Sequence, residues 1–195
     1  MGAMKNLAVV LGLSYGIAFS LAVGAQQPPG DGPRYTNGTN LVRPADYREW
    51  PFLGSGLGMT YQPPSGTPPA SPSFTNVFVN PSSYRSFMQT GKWPDGTILV
   101  LEIRRSDSEG SINKGGRFQT SLAGLEAHVK DSRFPDGWAF FNLGTSGSAE
   151  RLSGAAVASC VECHTKNAAV ERTFVQFYPT LLEVARQKGT LKPGF

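Results

Sequence analysis

Charge is scarce in this chain. Of its 195 residues only 16% are charged, and 18 basic against 14 acidic side chains leave a net charge of +4. No run of lysine or arginine forms a stripe, so the balance describes a mildly basic solvated surface rather than a nucleic-acid interface. Few charges, together with 23 glycines and 15 prolines, argue against long surface helices and for turns and short strands. No segment repeats, beyond two similar Pro-Asp-Gly turns. Apolar residues still make up 39% of the chain and aromatic ones 11%, enough for one domain with a real core.

The start of the chain is poorest in charge: Lys5 is the one charged residue before Asp31. An apolar stretch spans residues 7–23, broken by Gly12, Ser14, Tyr15 and Gly16. Val23-Gly24-Ala25 supplies the small residues at which a signal peptidase cuts. Residues 1–25 therefore read as a secretory signal, with Gln26 as the mature start. An uncleaved membrane anchor is the alternative, but the stretch is marginal in length and has no basic flank on its far side. No cysteine follows it, which excludes lipoprotein anchoring. Residues 26–40 read as a disordered leader, rich in Gln, Pro and Gly. Order is expected from Leu41, so that residues 41–195 form the domain.

Within that domain the punctuation is clear. Asp46-Tyr47-Arg48-Glu49-Trp50 suggests a short capped helical turn stopped by Pro51. Residues 62–72 carry too many prolines for regular structure. Residues 74–79 alternate as a strand. Residues 81–88 read as a short helix with Tyr84, Phe87 and Met88 on one face. The turn Trp93-Pro94-Asp95-Gly96 leads into a buried strand over 97–103. A polar, glycine-rich loop follows over 104–116, then a returning strand or strands over 118–129. A second turn, Phe134-Pro135-Asp136-Gly137, precedes a strand over 138–143. Helices are expected over 149–163 and about 171–188. The last carries Phe174, Phe177, Leu181, Leu182 and Ala185 at helical spacing and is ended by Gly189. Pro179 kinks that helix or marks its true start. Its aromatic stripe reads as core, with one ring available to wall a bound group. The fold class is α+β: mainly antiparallel β-sheet with a few helices.

Sulfur and imidazole are as scarce as charge, with two cysteines and two histidines. Both cysteines and one histidine fall in five residues, Cys160-Val161-Glu162-Cys163-His164. C-x-x-C-H is the attachment signature of a c-type haem. The thiols add across the two porphyrin vinyl groups, and two intervening residues let one tight turn span both. The adjacent imidazole then lies under the iron as proximal ligand. A redox dithiol shares the C-x-x-C spacing but usually opens a helix after a buried strand; here the small-residue run of 154–159 precedes it. A zinc site needs further ligands, and only His128 is left. The motif thus implies one covalent haem c per chain, bound through Cys160 and Cys163 and ligated by His164, on a helix near the C-terminus. Export agrees, because such haem is attached outside the cytoplasm in bacteria, and a periplasmic location is expected.

The order of several pieces resembles the cytochrome P-460 family and its relatives, the cytochromes c′-beta. They are Tyr47-Arg48-Glu49-Trp50, Asn80-Pro81-Ser82-Ser83-Tyr84, Asp95-Gly96-Thr97, Gly124-Leu125-Glu126, Val129-Lys130-Asp131-Ser132, Trp138-Ala139-Phe140, the haem motif and Phe177-Tyr178-Pro179. The resemblance covers residues 41–186. It implies a small antiparallel β fold with helices to one side, a homodimer, His164 as proximal ligand and an opposite haem face open to small molecules. Members proper cross-link a lysine to the porphyrin and oxidise hydroxylamine. That lysine belongs just before a glutamate on the strand after Asp-Gly-Thr, where this chain has Leu101 before Glu102. Lys92, Lys114 and Lys130 lie out of register. Leu101 is also an ordinary core residue of an apolar strand, yet over iron it offers no hydrogen bond. That pulls the reading toward the cytochromes c′-beta.

Glu126 matches the family's distal carboxylate, a candidate proton relay whose pKa should rise if buried by the haem; the alternative is a surface strand glutamate. His128 shares a strand face with Glu126 and reads as a partly exposed strand histidine rather than a sixth ligand. Three functions compete. The first is binding of a small gaseous ligand such as nitric oxide. The second is oxidation of hydroxylamine or a related nitrogen compound with Glu126 moving protons. The third is plain electron transfer to a small redox partner protein, which favours a closed His/Met iron; Met59, in a glycine-rich loop, suits that better than Met88.

Overall fold

The run Thr97-Ile98-Leu99-Val100-Leu101 lacks polar alternation because the protein covers both of its faces. The computed structural model describes residues 1, 30–60, 71–144 and 147–195. The chain divides into a leading unit, Met1–Gly30, of which only the two end residues are described, and a second unit, Asp31–Phe195, which holds every element below. Three short strands, β1 (Tyr35–Thr36), β2 (Asn40–Val42) and β8 (Ser148–Ala149), form one antiparallel sheet in the order β1-β2-β8. Five form a meander: β3 (Phe52–Leu57), β4 (Phe74–Val79), β5 (Thr97–Asp107), β6 (Phe118–Lys130) and β7 (Trp138–Asn142), each antiparallel to its neighbour. The helices are α1 (Pro81–Thr90), α2 (Ala155–Asn167) and α3 (Pro179–Lys188). This is an α+β fold.

One face of β5 sends Ile98 and Val100 into a cluster with Leu125, Val129 and Phe141, sealed by Leu41 of the small sheet and by Tyr47 and Trp50. The other face sends Leu99 into a cluster with Val79, Phe87 and Trp138, sealed by Leu181 and Ala185 of α3. Pairing fixes three rows on this second face, two residues apart along each strand. The first is Val79, Leu99, His128 and Phe140; the second is Gly54, Val77, Leu101, Glu126 and Asn142; the third is Gly56, Thr75, Ile103 and Gly124. Helices α1 and α3 pack against the first row. The second and third rows are left to face the functional site.

Several boundaries differ from the sequence reading. Strand β1 and the start of β2 lie in the stretch 26–40 expected to be without structure. Asp31 explains the order: its Oδ2 accepts the Ser82 N–H at 2.6 Å, and the Ser82 hydroxyl also donates to it, so it caps α1 from outside the helix. Strand β3, with two glycines in Gly54-Ser55-Gly56, has no apolar alternation and was not expected. The β5–β6 hairpin runs on to Asp107 and Phe118, since polar side chains suit a solvent-facing ribbon. The motif helix starts at Ala155 rather than 149, because Ala149 pairs with Leu41 in the small sheet. The final helix starts at Pro179, whose missing N–H fits the first turn, and a separate 3-10 turn spans Val175–Phe177. The 3-10 turn Tyr47–Glu49 is present but Asp46 makes no side-chain cap. The signal segment and most of the proline-rich loop 62–72 lie outside the described residues. No helix among the described residues is long and apolar enough to cross a membrane.

Candidate haem site

Gly154, at φ +57, turns the chain into α2. That helix carries Cys160, Cys163 and His164, and none of its 13 residues is buried. Both cysteines are free thiols. On leaving α2 the chain makes a tight reversal in which Val170 and Thr173 bridge. Glu171 there has φ +50, a conformation that costs a non-glycine residue energy. It is held by a 2.8 Å ion pair between Glu171 and Lys130 and by a 2.8 Å hydrogen bond from Trp93 Nε1 to Thr173 Oγ1. The reversal aims the Arg172 carbonyl at His164, whose Nδ1 lies 2.7 Å from it. A carbonyl only accepts, so Nδ1 carries the proton and the Nε2 lone pair is free for a metal. Burial lowers the His164 pKa, partly opposed by this hydrogen bond; the neutral, ligating form is favoured.

His164 is walled by rings. Phe174 lies 4.4 Å away, His128 4.7 Å and Phe140 4.9 Å, centroid to centroid. His128 is buried, at 8% exposure, and stacked flat on Phe140 at 4.1 Å. This corrects the expectation of a partly exposed histidine. It also places His128 beside His164 instead of across from it, so it is not a ligand from the opposite side. Its pKa is pushed well down by burial first, then by His164 and Arg172.

A cavity of about 230 Å³ opens between α2 and the sheet. Its wall includes Cys160 and His164, the rings of Phe140, Phe174 and Phe177, and Leu99, Val77 and Leu101 from the sheet. Glu126, expected as distal carboxylate or surface residue, lines the cavity opposite Leu101 in the second row. It is exposed there, as the surface reading expected, while desolvation by the surrounding protein raises its pKa. Met59 also lines the cavity, whereas Met88 packs against the core beneath α3. None of the described lining residues is a lysine. Lys130 sits at the far end of the sheet, bonded to Glu171 and the Trp93 carbonyl.

The site fits a haem on three observations. A helix with no buried residue needs packing that the polypeptide does not supply. A neutral imidazole presents a free Nε2, and two free thiols sit within one helical turn of it. His128 Nε2, buried on the same wall, has no hydrogen-bond partner among the described residues. Among those residues, moreover, no three His, Cys, Asp or Glu side chains converge to chelate a metal by themselves.

Comparison with known sequences agrees. The profile of the family described as Cytochrome P460 matches residues 44–175, a stretch that includes the whole five-stranded sheet and the C-x-x-C-H motif. The chain belongs to the cytochrome P460 family. It is accordingly a haem cytochrome. No curated protein matches it by sequence. Two contributors to this cytochrome P460 site had no signature in the sequence: the Arg172 carbonyl, because any residue supplies one, and the β3 glycines, because their role is to be absent side chains.

Proposed function

We propose that this cytochrome P460 family member is an exported mono-haem c-type cytochrome, c′-beta-like, that binds small neutral ligands such as nitric oxide. Cys160 and Cys163 carry the porphyrin through thioethers and His164 is the proximal ligand. The observation that supports this reading best is a committed imidazole facing a mainly apolar cavity with no lysine among its described lining residues. Bound haem would supply one-electron redox chemistry and an iron able to take up a small ligand. Arg172 fixes the His164 tautomer and ring orientation. Leu101 stands where the cross-linking lysine of the family belongs, so the porphyrin keeps no third covalent link. Leu101 and Val77 offer a bound ligand neither charge nor a hydrogen bond, which favours neutral diatomic ligands. Export to the periplasm through residues 1–25, a homodimer and a small redox partner protein complete the proposal.

Glu126 favours a second reading, oxidation of hydroxylamine or a related nitrogen compound. A carboxyl whose pKa is raised by its surroundings can hold and pass protons in the cavity. One set of measurements separates the two. The mature protein should have the mass of the polypeptide plus one haem and an ordinary, un-crosslinked c-type spectrum that shifts on adding nitric oxide. A colourless protein of bare polypeptide mass, or a spectrum that nitric oxide leaves unchanged, refutes the first reading. Sustained hydroxylamine turnover with an electron acceptor moves the assignment to the second.

A further inference from the structure

Met59 occupies a slot that belongs by position to another residue. Gly56 stands in the third row of the cavity face, paired with Thr75. A Cβ on Gly56 would lie 2.2 Å from Met59 Sδ, 2.8 Å from its Cγ and 2.9 Å from Thr75 Oγ1. No side chain fits there while Met59 is in place. Gly58, at φ +66, turns the chain just beyond β3, and its N–H donates to the Ser73 carbonyl at 2.9 Å. Met59 then lays its thioether back on the bare backbone of the strand. It fills the space of a strand side chain while being tethered beyond the strand's end.

The position of that slot matters. His164 packs on His128 and Phe140 of the first row, and Met59 lies on the third. Four residues of strand separate those rows, about 13 Å. Both residues line the same cavity, with Leu101 and Glu126 between them. Met59 thus stands at the end remote from the imidazole. It is also 41% exposed, on an unbranched side chain that changes rotamer readily, so little packing among the described residues opposes its swinging out.

The geometry points to Met59 as a displaceable stopper at the end of the cavity opposite His164, one that sets how fast a small ligand enters. The inference deepens the haem-site reading and rests on it. It assigns to Gly56 the part of making room for the stopper.

The test is carbon monoxide association with the reduced haem protein after flash photolysis. Met59→Ala should speed association about tenfold, while the space-conserving Met59→Leu stays within about twofold of the parent. Gly56→Ala keeps Met59 but puts a methyl where the thioether rests, so it should speed association to a similar degree. The double variant should be no faster than Met59→Ala alone, because both changes remove one obstacle. An unchanged rate in Met59→Ala, or rate gains that multiply in the double variant, overturns the stopper. Met59→Ala removes atoms at a half-exposed site, so the test survives a folding failure of Gly56→Ala. A parent protein that lacks haem or binds no carbon monoxide brings down the haem-site reading and the stopper together. Normal binding at rates indifferent to these substitutions brings down the stopper alone.

Discussion

Glu102→Gln tests what holds strand β5 in place behind the haem cavity. Leu101 faces the cavity, so Glu102 faces the other way, and its carboxylate is only 3% exposed. Four side chains donate to it: Arg104 Nε at 2.7 Å, Tyr47 Oη at 2.5 Å, Arg48 Nη2 at 2.8 Å and Asn76 Nδ2 at 3.2 Å. Burial alone would raise its pKa. The hydrogen bonds from Arg104, Tyr47, Arg48 and Asn76 outweigh burial and hold the pKa to about 2, against 4.5 for a free glutamate. A carboxyl with a depressed folded pKa stabilises the protein above its unfolded pKa and loses that stabilisation as pH falls through the folded value. The difference corresponds to about 3 kcal/mol near neutral pH and to roughly half that at about pH 3. Glutamine keeps the shape but not the charge, and leaves Arg104 and Arg48 facing an amide. Urea unfolding of the haem-loaded protein, parent against variant, should therefore show a stability gap near neutral pH that shrinks by about half at about pH 3. A gap that is independent of pH, or smaller than about 1 kcal/mol near neutrality, refutes the account.

Gly54→Ala should also destabilise the protein. Its Cβ would meet the Phe177 carbonyl oxygen at 3.0 Å and Tyr178 Cδ1 at 3.5 Å, so the 3-10 turn that walls the cavity must shift, at a cost of about 1–3 kcal/mol; an unchanged thermal midpoint contradicts the close approach. Asp31→Ala should cost about 1 kcal/mol through loss of the α1 cap, measured as a lower urea midpoint at constant slope; a variant as stable as the parent shows that the segment before β1 does not anchor α1.

Elements with strong local chemistry were readable in advance. The two Pro-Asp-Gly turns delimit strands at Gly96 and Gly137, both in the left-handed region. Strand β4 and helix α1 announce themselves by alternation and by Tyr84, Phe87 and Met88 at helical spacing. Strand β3 was not legible, because Phe52-Leu53-Gly54-Ser55-Gly56-Leu57 owes its pairing to β4 and its glycines to neighbours distant in sequence. Strand β1 was missed for a similar reason: polar, proline-flanked residues are ordered by a carboxylate that reaches a helix 51 positions away.

Sequence alone determined the chemistry of the site. Two thiols and an imidazole in five residues raise the expectation of an attached haem, and a leucine stands before Glu102 where the resemblance calls for a lysine; both readings follow from side-chain identity and local spacing. Tertiary structure decided the surroundings. The tautomer of His164, the burial of His128 beside it, the place of Glu126 on the cavity wall and the seat of Met59 on Gly56 arise where strands and loops far apart in the chain meet. A linear pattern carries no record of backbone carbonyls and empty Cβ positions until pairing register brings them together.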